Sequence, residues 1–219
     1  MNVMDFLKTV PFRLDERLAS LREQAKGRRD PATEDETLAL LLAVARMRAP
    51  RRILEIGTAE GLSSTALLLE CKDARLTTVE TEESLWRSAR ENFTAFGVAD
   101  RVNALLSDAG DVLAALEDRF DLIFLDGPKA QYIHYLPDLK RLLASRGVLF
   151  ADDVLLYGWV SGREPVPPKR RSIVERLREY LRAVREDPDF LTSIIEVGEG
   201  VAISVLRDRN EEPCDIPKR

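Results

Sequence analysis

The stretch RRILEIGTAEGLSSTALLLECKDARLTTVE, residues 51–80, decides the fold. Ile53, Leu54 and Ile56 make a short apolar strand that stops at Gly57. Thr58, Ala59, Glu60 and Gly61 turn the chain, and LSSTALLLE continues as a helix. RLTTVE is then a second strand, rich in β-branched residues and ending on Glu80. Strand, glycine turn, helix and strand within so short a span make one βαβ unit, whose two strands must run parallel.

The alternation continues outward. ESLWRSARENFTAFG reads as a helix, RVNALLSD as a strand and AGDVLAALE as a helix. FDLIFLD and GVLFADD are two further strands, separated by the helical QYIHYLPDLKRLLAS. Continuous apolar strands separated by helices mean a parallel sheet covered on both faces. At the end, LTSIIEVGEGVAISVLRD reads as two strands joined by a tight GEG turn, hence an antiparallel hairpin. The expectation is an α/β fold: a doubly wound, mostly parallel, seven-stranded Rossmann-like sheet with an antiparallel last strand. Its core spans 49–207, preceded by N-terminal helices in 1–48, all in one domain of 1–219. In those helices Leu14, Leu18 and Leu21 recur at helical spacing. A second helix opens at Thr33 and Glu36 with the spacing of a capping box and carries Leu38, Leu41, Leu42 and Ala45 on one side. Exposed leucines at this helical start suit a homodimer or a lid.

Composition narrows the function classes. At 45% apolar and 32% charged residues, this is an ordinary globular chain. No apolar run approaches the ~20 residues needed to cross a bilayer, so no membrane role is expected. The first residues mix in acids early and carry no small-residue cleavage site, which predicts no signal peptide. Cys71 and Cys214 are far apart and the chain holds one histidine, which argues against zinc and for the reducing cytoplasm. The net charge of −5 argues against nucleic acid, but it is unevenly spread. Between 163 and 185 eight basic residues stand against three acids, so that segment carries +5 and the remainder −10. A solvated face of an amphipathic helix, with Ile173, Leu177, Tyr180, Leu181 and Val184 as its apolar stripe, accounts for this as readily as a polyanionic partner.

In open α/β sheets, ligands sit beyond the carboxyl ends of the strands, where strand order reverses. There the first turn offers Glu55, Gly57, Gly61 and Ser63. Gly57 lets the chain turn sharply, and Gly61 would let a ligand approach the backbone at the helix start. The spacing is GxxxG and not the GxGxxG of pyrophosphate cofactors. Glu55 within the strand would repel a diphosphate and suit an ammonium or sulfonium. Glu80 ends the second strand, where a carboxylate can accept both hydroxyls of a ribose. Ser107, Asp108 and Ala109 end the third and can take the amino edge of an adenine. S-adenosylmethionine fits all three features.

ILEIGTAEGLSS, TTVETEE, LLSDAGDVL, FDLIFLDGPKAQY and GVLFADDVLLYGWV together resemble the metal-dependent O-methyltransferases of the catechol and caffeoyl-CoA type. The resemblance runs over about 30–206 and keeps order and spacing. Within that family the chain is most similar to the small bacterial enzymes that methylate 5-hydroxyuridine at the tRNA wobble position. The resemblance implies that Glu55, Gly57, Ser63, Glu80 and Asp108 bind S-adenosylmethionine, beside Gly61, Ala109 and Asp126. It implies that Asp126, Asp152 and Asp153 hold a metal, and that Lys129, with Asp126, lies at the reacting hydroxyl. The family usually has Asp-Asn where this chain has Asp152-Asp153; the extra charge either tightens the metal or leaves Asp153 protonated.

Three carboxylates gathered at neighbouring strand ends repel one another, and a hard divalent ion resolves the conflict. All-oxygen ligation favours Mg²⁺, or Mn²⁺ or Ca²⁺, over zinc. A substrate with neighbouring oxygens would chelate: the subgroup resemblance puts 5-hydroxyuridine in tRNA first, with a small catechol-like phenol as the alternative. Lys129 either stabilises the oxyanion or, with its pKa depressed, takes the proton. Tyr157 and Trp159 suit the wall of a flat pocket, or equally the hydrophobic cover of a loop. Arg163, Lys169, Arg170 and Arg171, on a proline-rich loop leading from that wall, suit a phosphate backbone. From a different class, an idle nucleotide-binding or adenosyl-binding module would share the first turn but has no reason to gather the three acids.

Overall fold

The computed structural model describes residues 15–25 and 33–208, with Phe6, Thr9 and Val10. The strands are β1 (Arg52–Ile56), β2 (Arg75–Glu80), β3 (Val102–Leu106), β4 (Phe120–Leu125), β5 (Leu143–Ala151), β6 (Phe190–Ile195) and β7 (Val201–Leu206). The helices are α1 (Glu16–Ala25), α2 (Asp35–Arg48), α3 (Leu62–Glu70), α4 (Glu83–Ala95), α5 (Ala109–Ala115), α6 (Tyr132–Leu142) and α7 (Arg171–Glu186). All seven strands form one sheet in the order β3-β2-β1-β4-β5-β7-β6. Pairs from β3 to β5 are parallel, and β7 runs antiparallel to both β5 and β6. The doubly wound sheet with its antiparallel last strand is as expected. Among the described residues no helix is long and apolar enough to cross a membrane.

The two-residue period of the central strands sorts their side chains into two cores. Leu54, Ile56, Ile123, Leu125 and Leu149 pack with Leu113, Leu139 and Leu177 on the α5, α6 and α7 side. Ile53, Leu122, Phe124 and Phe150 pack with Leu21, Leu41, Leu67 and Phe93 on the α1 to α4 side. By the same alternation Glu55 faces with Ile53 toward α3.

Several local expectations change. Leu18 and Leu21 of α1 are buried within this chain, against the second core, and so are not free to build a homodimer surface; Leu14 lies outside the described residues. The capping box does not form. The residue that caps α2 is Glu34, without a side-chain cap bond, because the Thr33 hydroxyl lies 3.5 Å from a carboxylate oxygen of Asp126 instead. The helix expected through Ser145 ends at Leu142, and Leu143 already pairs with Phe120. The pairing register shifts between Phe120 and Leu122, and Arg146 takes a left-handed φ of 57°.

Strand order reverses at β1, with β2 on one side and β4 on the other. There the chain must pass very close to itself. A Cβ on Gly57 would stand 2.4 Å from the Asp126 carbonyl oxygen, and one on Gly127 2.9 Å from Ile56 Cγ2. Gly57 also has a φ of 99°, so any side chain would be both strained and blocked. Two glycines thus let the ends of β1 and β4 close into one crevice.

Candidate active site

The first turn is built around a buried acid. Glu55 has no exposed surface and sits in register with Thr78 of β2. Ser63 Oγ donates to Glu55 Oε1 at 2.6 Å and Thr78 Oγ1 to Oε2 at 2.6 Å, and Ser64 Oγ donates to the same Oε2. The hydroxyl of Thr58 extends the chain, 2.6 Å from that of Thr78. Burial pushes the Glu55 carboxyl up to about 7, and the three hydroxyls only partly restrain it. Glu55, expected to suit a cationic ligand, faces α3 and locks the turn to the helix start, with Ser63 as one of its donors. Ser64 and Thr78 escaped the sequence reading, although the parallel register of β1 and β2 would have paired Thr78 with Glu55. Gly61 serves the packing as well: a Cβ there would lie 2.6 Å from the Phe93 ring, so the missing side chain makes room for α4.

Glu80 and Asp108 stay at the open ends of β2 and β3. Glu80 is half-buried and accepts backbone N–H groups from Ala59 at 2.9 Å, Thr81 at 2.8 Å and Glu82 at 2.9 Å. Asp108 is exposed and caps α5, accepting from the Gly110 N–H at 2.7 Å, with Ala109 buried behind it. The backbone of Ser107 joins the two ends by donating to the Glu80 carbonyl at 3.0 Å. Both carboxylates are thus fixed in orientation and border the crevice that Gly57 opens.

On the other side of the crevice, β4 and β5 end side by side. The Asp126 N–H donates to the Ile56 carbonyl at 2.9 Å, and the Asp152 N–H to the Leu125 carbonyl at 3.0 Å. Tyr132, fully buried, shares its hydroxyl between the carbonyls of Leu125 at 2.9 Å and Asp152 at 3.2 Å, tying the two strand ends together. That role had no signal in the sequence, because it depends on where α6 lands.

Lys129 bridges the acids. Its ammonium lies 2.6 Å from Asp126 Oδ1 and 3.0 Å from Asp153 Oδ2, with 16% of the side chain exposed. Burial works against the charge, but Asp126, Tyr132 and Asp153 outweigh it and hold Lys129 well above its ordinary range. Asp152 is 3% exposed and accepts the Asp153 N–H at 2.7 Å. Its carboxyl is pushed far above the carboxylate range, first by burial and then by Asp126 and Asp153. Asp126, Asp152 and Asp153 bring three carboxyl groups to neighbouring strand ends, and all-oxygen donors of this kind suit Mg²⁺. The placement does not yet make a metal cage. Among the described residues no three candidate ligands gather closely enough to hold an ion.

The segment after β5 carries the two aromatics, Tyr157 and Trp159, side by side. Tyr157 is 53% exposed, and its ring centroid lies 4.9 Å from that of Trp159, tilted by 57°. Of the basic residues beyond, Arg163 pairs with Glu196, so the phosphate contact expected of it competes with an internal partner. Arg176, Arg178 and Arg185 donate to backbone carbonyls of Ala130, Val160 and Thr192. Lys169, Arg170 and Arg171 stand exposed at the start of α7.

Comparison with known proteins adds to this geometry. The family described as O-methyltransferase matches residues 14–207. A Mycobacterium tuberculosis protein named as an O-methyltransferase is 31% identical over 194 residues, 87% of this chain and 84% of that one. The SAH-bound methyltransferase PaMTH1 of Podospora anserina superposes with a TM-score of 0.84 at 27% identity, covering 94% of each chain. TomG of Streptomyces achromogenes, an O-methyltransferase involved in tomaymycin synthesis and solved with SAM, gives 0.80 at 28%, covering 93% of this chain and 95% of its own.

Proposed function

The chain belongs to the O-methyltransferase family, and we propose that it transfers the methyl group of S-adenosylmethionine to a hydroxyl of a small phenol bearing a second oxygen beside the first, as a catechol does. The observation that carries this reading is the meeting of two half-sites at one crevice. Gly57, Glu80 and Asp108 border one half, and Asp126, Lys129, Asp152 and Asp153 crowd the other.

The solved relatives bound to SAM or SAH support the donor assignment. Glu80, already oriented by three N–H groups, keeps lone pairs for the ribose hydroxyls, and Asp108 with Ala109 borders the adenine. The donor supplies an electrophilic methyl: the new O–CH₃ bond forms as the S–CH₃ bond breaks, and the phenolic proton leaves to solvent. Mg²⁺, held by Asp126, Asp152 and Asp153, would lower the pKa of that hydroxyl and orient it. Lys129 contributes a charged ammonium fixed beside Asp126, which stabilises the phenolate as the proton departs.

A second reading is methylation of 5-hydroxyuridine in tRNA, and the exposed Lys169, Arg170 and Arg171 favour it. The small phenol ranks first because four other arginines of the basic segment, Arg163, Arg176, Arg178 and Arg185, are engaged within the chain. Methyl transfer from labelled S-adenosylmethionine to catechol and to tRNA carrying 5-hydroxyuridine, with Mg²⁺ and with EDTA, tests both. Catechol methylation that stops in EDTA is expected. Full turnover in EDTA would remove the metal from the reaction, and turnover on tRNA alone would reverse the order of the substrates.

A further inference from the structure

The segment that leaves Asp153 is strained and is held by one residue of the distant β6–β7 turn. Asp153, Leu156 and Tyr157 have φ values of 56°, 40° and 55°, a left-handed backbone that residues with side chains rarely adopt. Such strain persists only where surrounding contacts over-determine it, and it clusters at functional sites. Here the contacts converge on Glu199. Its carbonyl accepts the N–H of Leu155 at 2.9 Å and of Leu156 at 3.1 Å, and its carboxylate accepts the N–H of Tyr157. The Val154 N–H goes to the next carbonyl, that of Gly200, at 2.9 Å. Close approach is possible because position 200 is glycine. Its φ is 88°, and a Cβ there would stand 2.3 Å from Leu155 Cγ. The far end of the same segment is tied to the same turn through the Arg163–Glu196 ion pair.

Packing alone does not account for this arrangement. Tyr157, the last residue Glu199 holds, leaves half of its side chain in solvent while leaning on Trp159. A strained backbone that holds an exposed tyrosine against a tryptophan packed on the core, next to a strand-end acid, offers that ring as a surface.

We propose that Glu199 is a positioning residue for the methyl acceptor: by holding the N–H groups of Leu155, Leu156 and Tyr157 it sets the Tyr157–Trp159 pair as the wall on which the acceptor ring stacks. This rests on the reading of the site as one for a flat phenol. The side-chain part of the hold needs an acceptor oxygen and not a charge. Glu199→Gln therefore keeps it and Glu199→Ala removes it.

Trp86 and Trp159 are the two tryptophans of the chain, so in a Trp86→Phe background Trp159 alone reports on the wall. In that background Glu199→Ala is expected to make Trp159 at least about twofold more quenchable by iodide and to raise KM for catechol about tenfold, with kcat within about twofold. S-adenosylmethionine affinity by calorimetry stays unchanged, and Glu199→Gln behaves like its parent. Quenching and KM that do not move in Glu199→Ala would overturn the proposal. So would a Gln variant as impaired as the Ala variant, or a loss of donor affinity and thermal stability together, which would mark a purely structural residue. Should the parent methylate no catechol, the functional reading fails, while the quenching comparison still decides the role of Glu199.

Discussion

Glu55 and Asp152 are both buried carboxyls at the ends of central strands, and both are pushed upward by loss of water, yet their surroundings differ in kind. Glu55 is met by three neutral hydroxyls from Ser63, Ser64 and Thr78. Asp152 is met by one backbone N–H and by two further acids, whose shared cation is Lys129. The first acid is satisfied as it stands. The second is crowded by further acids, which is the setting for recruiting a cation and for doing chemistry. Burial alone therefore does not distinguish a structural carboxyl from a reactive one; the charge of its neighbours does.

The sharpest way to break this contrast is to remove Asp152. Asp152→Ala relieves repulsion, so thermal stability should hold or rise, while kcat falls by about a thousandfold or more and donor affinity by calorimetry is unchanged. A variant that loses stability and keeps its turnover would place Asp152 with Glu55 as a structural acid.

Glu55 should respond to pH instead. Its folded carboxyl titrates near 7 against 4.5 for the free group, so the folded state binds the proton more tightly. The stabilisation is complete below pH 4.5 and is lost as pH rises through 7, about 3 kcal/mol in all. Asp152 adds a slope of the same sign, so the measurement is the difference between thermal unfolding of the parent and of Glu55→Gln from pH 5 to pH 8. The variant should gain on the parent across that window. Parallel curves would show that Glu55 stays ionised on its three donors.

The sequence made the sheet legible because each strand is a short apolar run, and the glycine turns and helices between them leave one topology. It also put Asp126, Lys129, Asp152 and Asp153 at adjacent ends, since β4 and β5 are consecutive strands. What it hid depends on facing and distance. The direction of Glu55 follows from two-residue alternation, but its burial depends on Ser63 and Ser64 arriving from α3. The packing role of Gly61 was hidden because a glycine in a turn says nothing about which side chain lies beside it, here Phe93. Thr33 matched a capping box locally, but its hydroxyl turns to Asp126, 93 residues away. Tyr132 and Glu199 act only through partners brought to them by the whole sheet.

The smallest expected effect extends the contrast to the surface. Lys169, Arg170 and Arg171 are exposed, whereas Arg163 and Arg178 are engaged within the chain. If the exposed trio is only a solvated helix start, changing all three to Glu should leave catechol turnover within about twofold and unfolding within about 0.5 kcal/mol, since surface substitutions away from special contacts move stability little. If the trio holds a phosphate backbone, the same variant should lose tRNA methylation at low salt, and the parent's rate on tRNA should fall steeply with added salt while its rate on catechol does not. Equal loss on both substrates would mean that these charges position α7, and through Arg178, which donates to the carbonyls of Trp159 and Val160, the aromatic wall itself.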